Sequence, residues 1–572
     1  MARFAARAEG ARHMAAAANR LAAQVALQVL EAGGNAVDAG VAGGMTLNVV
    51  HCEFTHFAGV APIMIWLAES GRAVTIDGLG GWPAKADPAY FRARHGGRIP
   101  PGIRRSIVPG APGAWIAALE HFGTMSFADV VAPALRFARE GFVVSRLFSH
   151  IVSELRSEFA RWPANAALFL PGGEPPAAGS VFRLRELATT LELLCHAERK
   201  AAAHGGRAAG LAAARDAFYR GDIAREIDAF YRAEDGWLRY DDLARHRTAI
   251  EPAVSARYRT TEILTCGPWC QGPVLAQALA ILDHCDLAGL GHNAAPYIHV
   301  VTEALKLAFA DRERWYGDPD FVDVPLEGLL DSGYARARKA LIDPARAMSG
   351  MPPAGLPRGA VGGDGVVPPS ANTSAAINLD TSFICTADRH GNLFAATPSD
   401  GCFGSPMVPG IGLCPSSRGA QSWTDPAHPS VLAPGKRPRL TPSPAIAIRE
   451  GRWFMPFGSP GDDLQPQAML QVLLNQIVFG MEPQMAVEAP RFATLSFPRS
   501  FEPHEFVPDR MVAEARIDSS HLTALRDLGH DPVVWEDWDW RAGCVCAIVR
   551  DGETGLLQGA ADPRRPSGAL GS

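Results

Sequence analysis

The chain has 572 residues, 47% hydrophobic and 20% charged, with a formal net charge of −6. This globular composition suits two or more domains or one large enzyme core, and the slight acidity excludes the basic footprint of a nucleic-acid or anionic-membrane binder. Ten cysteines show no zinc-site spacing and are expected as free buried thiols in a reduced compartment, with no metal or cofactor implied.

The N-terminus carries arginines but no apolar signal core, and no uncharged apolar run reaches the roughly 20 residues of a membrane span. A soluble, cytoplasmic protein is expected. Residues 15–31 are Ala/Leu/Val-rich and stop at Gly33-Gly34, predicting one helix, and 35–50 predict a second. Segments 63–67 and 73–76 read as paired strands about the turn Ser70-Gly71. Helical periodicity dominates 113–141 and 183–247, and Ile298, Val301, Leu305 and Ala308 form one apolar helix face running to about Arg314.

Residues 345–380 are rich in Pro and Gly and predict a long exposed linker. After it the chain becomes β-rich. Hairpins are predicted for 382–386/393–397, 443–448/453–457 and 546–549/556–559, and Gly458-Ser-Pro-Gly461 leads into an apolar helix from about 464 to 479. No internal repeat is present.

No G-x-S-x-G elbow, H-E-x-x-H, Walker loop or strand-anchored G-x-G-x-x-G occurs. One constellation carries a mechanism. Thr381 opens a strand just after the linker and follows Asp380. Its hydroxyl could attack the Asp380 carbonyl, and the freed α-amine, of pKa ~7.7–8.0, could then serve as general base without any histidine. Gly461 and Asp462, at a turn opening a helix, could supply oxyanion N–H groups. A capping or strand-edge threonine is the plainer reading of the same residues.

Ordered stretches then raise the odds: Gly33-Gly-Asn-Ala-Val-Asp-Ala39, Val108-Pro-Gly110, Phe122-Gly-Thr, Ala132-Pro-Ala, Glu140-Gly-Phe142, Ala304–Asp311, Gly317–Asp323, Pro434–Pro438, Gly458–Gly461, Ala489–Phe492 and Asp562–Arg565. Through them nearly the whole chain resembles the gamma-glutamyltransferase family of N-terminal-nucleophile hydrolases. The resemblance implies an α+β, four-layer αββα fold with two stacked antiparallel sheets. It implies one precursor cut between Asp380 and Thr381 into a large subunit, 1–380, and a small subunit, 381–572. The family's nucleophile falls on Thr381, its helper hydroxyl on Ser399, and its oxyanion pair on Gly461 and Asp462. The second of that pair is not glycine here, but only its N–H is needed.

The substrate pocket departs from the family. The arginine that holds a γ-glutamyl α-carboxylate is Leu79 here, and the serine pair is Leu440-Thr441. Positions for the α-amine fall on Asp400, Arg418 and Gln421. A leucine cannot replace a bidentate guanidinium, so the resemblance points to the amidohydrolase members of the family, the oxamate amidohydrolase type among them. Arg418 reads equally as a carboxylate anchor or as a structural arginine on loop carbonyls, and Trp82, Phe383 and Trp423 read first as core. The expected activity is hydrolysis of a small amide, the expected partners being that substrate and the two subunits, without nucleic acid or membrane. The alternatives are a true γ-glutamyl hydrolase or transferase and an uncleaved binding protein.

Overall fold

The computed structural model describes residues 7–361 and 380–572. Two seven-stranded sheets, antiparallel throughout, form its centre. One runs in the order Ala8–Gly10, Leu557–Ala561, Cys546–Asp551, Trp453–Gly458, Ala445–Arg449, Thr261–Thr265, Val254–Tyr258. The other runs Gly568–Gly571, Met14–Ala17, Ile384–Ala387, Leu393–Ala396, Ile63–Leu67, Arg72–Ile76, Ile250–Pro252.

Alternation along the strands explains the layering, because neighbouring side chains point to opposite faces. Met14, Ala16, Cys385, Ala387, Leu393 and Ala395 share a core with Leu264, Ile446, Ile448, Cys546 and Ile548, between the sheets. Their neighbours Ala15, Ala17, Ile384 and Ala396 face helices Arg20–Glu31 and Ala36–Val50. Ile263, Ala445, Ala447 and Ala547 face helices Gly272–Leu282, Ala295–Trp315 and Gln465–Ile477. The result is helix, sheet, sheet, helix: the α+β, four-layer architecture expected.

The paired strands 63–67 and 72–76, the helix at 295–315 and the three C-terminal hairpins are found. The helix expected over 15–31 begins only at Arg20, with Asn19 capping Leu21 N–H, and 14–17 is a strand. Its partners, Ile384–Ala387 and Gly568–Gly571, lie far along the chain, so local periodicity could not reveal it. The linker expectation is also revised in part. Residues 347–355 are tied down, with Met348 N–H on Glu303 at 2.7 Å and Gly355 N–H on Asp311 at 2.8 Å; 362–379 lie outside the described residues. The expectation of ten free thiols is corrected. Cys402 and Cys414 form a disulfide, because the chain folds back through the Val408–Leu413 pairing and brings their Cα atoms to 5.6 Å.

Helix Ala36–Val50 starts at a capping box formed by Asn35 and Asp38 and is buried at every residue. Its glycines let it lie directly on the sheet: a Cβ on Gly40 would meet the Phe394 ring at 2.1 Å. Alanine in a helix gains up to about 1 kcal/mol over glycine, whereas overpacking costs about 1–3 kcal/mol. Gly40→Ala is therefore expected to lower the denaturation midpoint; a raised midpoint would mean the ring yields freely.

Candidate active site

The hairpin of strands Ile384–Ala387 and Leu393–Ala396 sets the centre of the site. Its register pairs Ile384 with Ala396, and continuing it three residues beyond the strands puts Thr381 opposite Ser399. The two hydroxyls lie 2.8 Å apart, and Ser399 Oγ is 2.5 Å from the Asp380 carbonyl oxygen. The Thr381 hydroxyl also lies directly against that carbonyl. A hydroxyl has one proton, so a consistent chain runs from Thr381 O–H to Ser399 Oγ and from Ser399 O–H to the Asp380 oxygen. All three residues are buried.

Two arginines hold this peptide. Arg565 Nη1 donates to the Thr381 carbonyl at 3.0 Å. Arg418 is fully buried in the short 3₁₀ turn Arg418–Gln421, and its Nη2 donates to Ser399 Oγ, to the Asp380 carbonyl at 3.1 Å and to the Asp380 carboxylate at 2.7 Å. Burial pushes the Asp380 carboxyl up to about 6, with Arg418 opposing. The turn is fixed by Asp400, whose carboxylate accepts from Ser416 Oγ, from Ser417 N–H at 3.0 Å and from Ser417 Oγ at 2.7 Å. Asp400 itself sits at φ 91°, an uncommon backbone state for a residue with a Cβ. In the uncut chain Asp400 thus positions the loop that carries Arg418.

The second wall comes from the other sheet. Strand Trp453–Gly458 lies so close to the segment that follows Thr381 that a Cβ on Gly458 would meet the Phe383 ring at 2.3 Å. Beyond it the chain turns at Gly461 (φ 128°) and Asp462 (φ 53°), and neither N–H donates to a backbone carbonyl of the described residues. Asp462 is close enough to Asp380 and Arg418 for their charges to interact, and its carboxylate pairs with Arg499 at 2.6 Å. Gln271 ties this turn to the next, donating to the carbonyls of Asp462 at 2.9 Å and Thr441 at 3.0 Å. Gln421 Nε2 donates to Thr441 Oγ1 at 2.8 Å.

Leu79 and Leu440 are buried in the core between the sheets with Trp82 and Phe383. No cation stands at 79; nearby Arg437 is already paired with Asp318, Asp77 and Glu251. Trp423 stacks between His428 and His504. Arg105, Arg499 and Gln271 carry no motif that marks them in the sequence, and Arg565 lies at the end of the stretch Asp562–Arg565.

Among the described residues, two groups of possible metal ligands lie elsewhere. In His56/Cys402/Cys414 the sulfurs are joined and both His56 nitrogens are engaged, with Gly412 O and Ala58 N–H. In His299/Glu303/His530 the imidazoles bond to each other at 2.8 Å and Glu303 pairs with Lys306 at 3.0 Å.

Beside Thr381, His51 Nδ1 meets Ser382 Oγ at 2.9 Å, and Glu53 approaches the other nitrogen at 3.7 Å. Burial pushes Glu53 up to about 8 and His51 down to about 3, so near pH 7 this is a contact of neutral groups. The folded chain then keeps a proton on Glu53 that the unfolded chain loses near 4.5. Its contribution to stability falls as pH rises from about 4.5 to about 8. Glu53→Gln is expected to gain thermal stability over the parent at pH 8 relative to pH 5; an equal difference at both pH values would refute this ionisation state.

The gamma-glutamyltranspeptidase family profile matches residues 22–572. The chain is 33% identical over 527 residues to the acylase ACY 1 proenzyme of Pseudomonas sp. (strain SE83), covering 90% of this chain and 88% of that protein. It is 30% identical over 569 residues to the oxamate amidohydrolase proenzyme of Klebsiella pneumoniae, covering 98% of each. The crystal structure of cephalosporin acylase from Bacillus halodurans superposes with a TM-score of 0.84 at 27% identity, over 100% of this chain and 98% of that one. No described helix is long and apolar enough to cross a membrane.

Proposed function

The chain belongs to the gamma-glutamyltranspeptidase family of N-terminal-nucleophile hydrolases, and from that premise we propose that it is a proenzyme cut between Asp380 and Thr381, whose Thr381 then hydrolyses a small amide. The observation that carries this reading is the position of the Thr381 hydroxyl, against the Asp380 carbonyl and 2.8 Å from Ser399 Oγ.

In the uncut chain the α-nitrogen of Thr381 is an amide and cannot act as base. Ser399 therefore relays the proton as Thr381 Oγ bonds to the Asp380 carbonyl carbon. The C–N bond breaks, the nitrogen takes the proton, and Asp380 is left as an ester on Thr381. Water cleaves the ester, releasing Asp380 with a new α-carboxylate and restoring the hydroxyl beside the amine that the C–N cleavage freed. In turnover the free amine takes the hydroxyl proton and passes it to the leaving amine. Arg418 and Ser399 polarise the carbonyl in the precursor, and the N–H groups of Gly461 and Asp462 are assigned to the oxyanion in turnover.

The substrate is read as a small amide outside the γ-glutamyl class. The relatives named acylase and oxamate amidohydrolase support this, as does the buried Leu79 where a γ-glutamyl α-carboxylate would need a cation. Gln421, Leu440 and Thr441 are assigned to the pocket wall, with Asp400 holding the Arg418 loop. Intact mass of the purified protein tests the proposal: fragments meeting at 380/381 are expected, and a single chain lacking activity would sink it in favour of a binding role.

A further inference from the structure

One guanidinium touches both ends of Asp380. Arg418 Nη2 is 3.1 Å from its carbonyl oxygen and 2.7 Å from its carboxylate, whose other oxygen accepts from Gly401 N–H at 3.2 Å. Arg418 is fully buried and stacks over Phe501, yet its Nε and Nη1 find no hydrogen-bond partner. A second buried arginine, Arg105, lies near enough to interact electrostatically with Arg418 and Asp380, and its Nε is also unpartnered. A surface cavity lined by Arg98, Arg105, Arg161 and Phe403 adjoins it.

Self-cleavage and turnover pass through the same kind of ester, with the acyl carbon on Thr381 Oγ. Asp380 is therefore the first acyl group this site holds. We infer that its side chain is a built-in stand-in for the substrate, and that the processed enzyme selects amides whose acyl group carries a carboxylate no more than two carbons beyond the reacting carbonyl, bound by Arg418. This rests on the threonine-nucleophile reading above.

Charge and reach argue for it together. Cleavage frees Asp380 to depart with its carboxylate, and a buried guanidinium that loses its direct ion-pair partner is unfavourable. A substrate carboxylate restores the pair, and once Asp380 has left, Nη2 can form a fork with the idle Nε or with the idle Nη1. In Asp380 two carbons separate the carbonyl carbon from the carboxylate carbon; a γ-glutamyl group has three. Because one Nη2 spans both groups of Asp380, a carboxylate set closer to the carbonyl also falls within reach. The reaction is then ordinary acyl transfer. Thr381 Oγ bonds to the acyl carbon, the C–N bond breaks, the amine leaves with the hydroxyl proton, and water releases a short dicarboxylate.

The test uses the processed wild-type protein and a series of p-nitroanilides: oxalyl, malonyl, succinyl, glutaryl, γ-glutamyl, and uncharged succinamoyl. The succinyl compound is expected to exceed succinamoyl in kcat/KM by about 10²-fold or more, since a buried charged partner is lost in the latter. One further methylene, in the glutaryl compound, is expected to cost about 10–200-fold. Succinate itself is expected to bind the processed protein by calorimetry, a readout that needs no variant. Arg418→Gln is expected to abolish both the charge preference and succinate binding. Two fragments that cleave succinamoyl and succinyl compounds alike would overturn this inference and leave the nucleophile reading standing. Two fragments that neither turn over the series nor bind succinate would overturn it as well. An uncut chain would overturn both.

Discussion

Thr381→Ala is expected to yield one uncut chain with no measurable amidase activity, whereas Thr381→Ser is cut, more slowly. Alanine removes the hydroxyl oxygen that lies against the Asp380 carbonyl and next to the nitrogen proposed as the base. Removing the nucleophile of another hydrolase costs on the order of 10⁶ in kcat, and here the loss comes twice, once in processing and once in turnover. Serine keeps the oxygen but not the methyl that restricts its rotamer. Ser399→Ala separates the steps further. It leaves the nucleophile but removes the relay 2.8 Å away, so processing is expected to slow by about 10²-fold or more, in the range of positioned acid–base groups. Intact mass against time reads each case. A cut Thr381→Ala chain would place the nucleophile elsewhere; Ser399→Ala processing at the parental rate would remove the relay.

What the sequence made legible follows physical range. Turn-bounded hairpins such as 384–387/393–396 declare themselves within about a dozen residues, and so does the capped helix at 36–50. Strands whose partners are distant do not: 14–17 pairs with 384–387 and 568–571, and its run of alanines looks helical in isolation. The same limit holds at the candidate site. Thr381 drew notice because a hydroxyl residue follows a Pro/Gly-rich segment just before a strand, but a capping threonine explains that equally, and the resemblance is what assigned the nucleophile to Thr381 and added Ser399, Gly461 and Asp462. Arg105 and Arg565 carry no local signal. They matter because the fold brings residues from the two ends of the chain to one peptide, and arginine is common enough that its presence alone says nothing. Cys402 and Cys414 belong to the same class, since the intervening chain must fold back before the pair is visible.

Asp463→Ala is expected to be among the most damaging substitutions outside the nucleophile, lowering stability by about 3–5 kcal/mol. Asp463 is buried beside Asp462 and accepts from Arg312, from Ser500 N–H at 2.7 Å and from Ser500 Oγ at 2.7 Å. Arg312 is fully buried and also reaches Gln271 at 3.0 Å and the Pro498 carbonyl at 3.1 Å. Glu313 and Arg439 complete the cluster, 2.7 Å apart. With Asp463 gone, two buried guanidiniums share one carboxylate, and the uncompensated charge rather than the lost hydrogen bonds dominates the cost. Against a total stability of about 5–15 kcal/mol such a loss is large. Gln271 also holds the Asp462 carbonyl, so the damage is expected to spread into the Gly461-Asp462 turn and to reduce kcat in whatever fraction still folds. Measured in the Thr381→Ala chain, where the precursor stays whole, the guanidinium-chloride midpoint is expected to fall without a change in slope. Asp463→Asn keeps most of the shape and one carbonyl acceptor but not the charge. If it proves as stable as the parent, charge balance is not what holds this turn, and the cluster is explained by its hydrogen bonds alone.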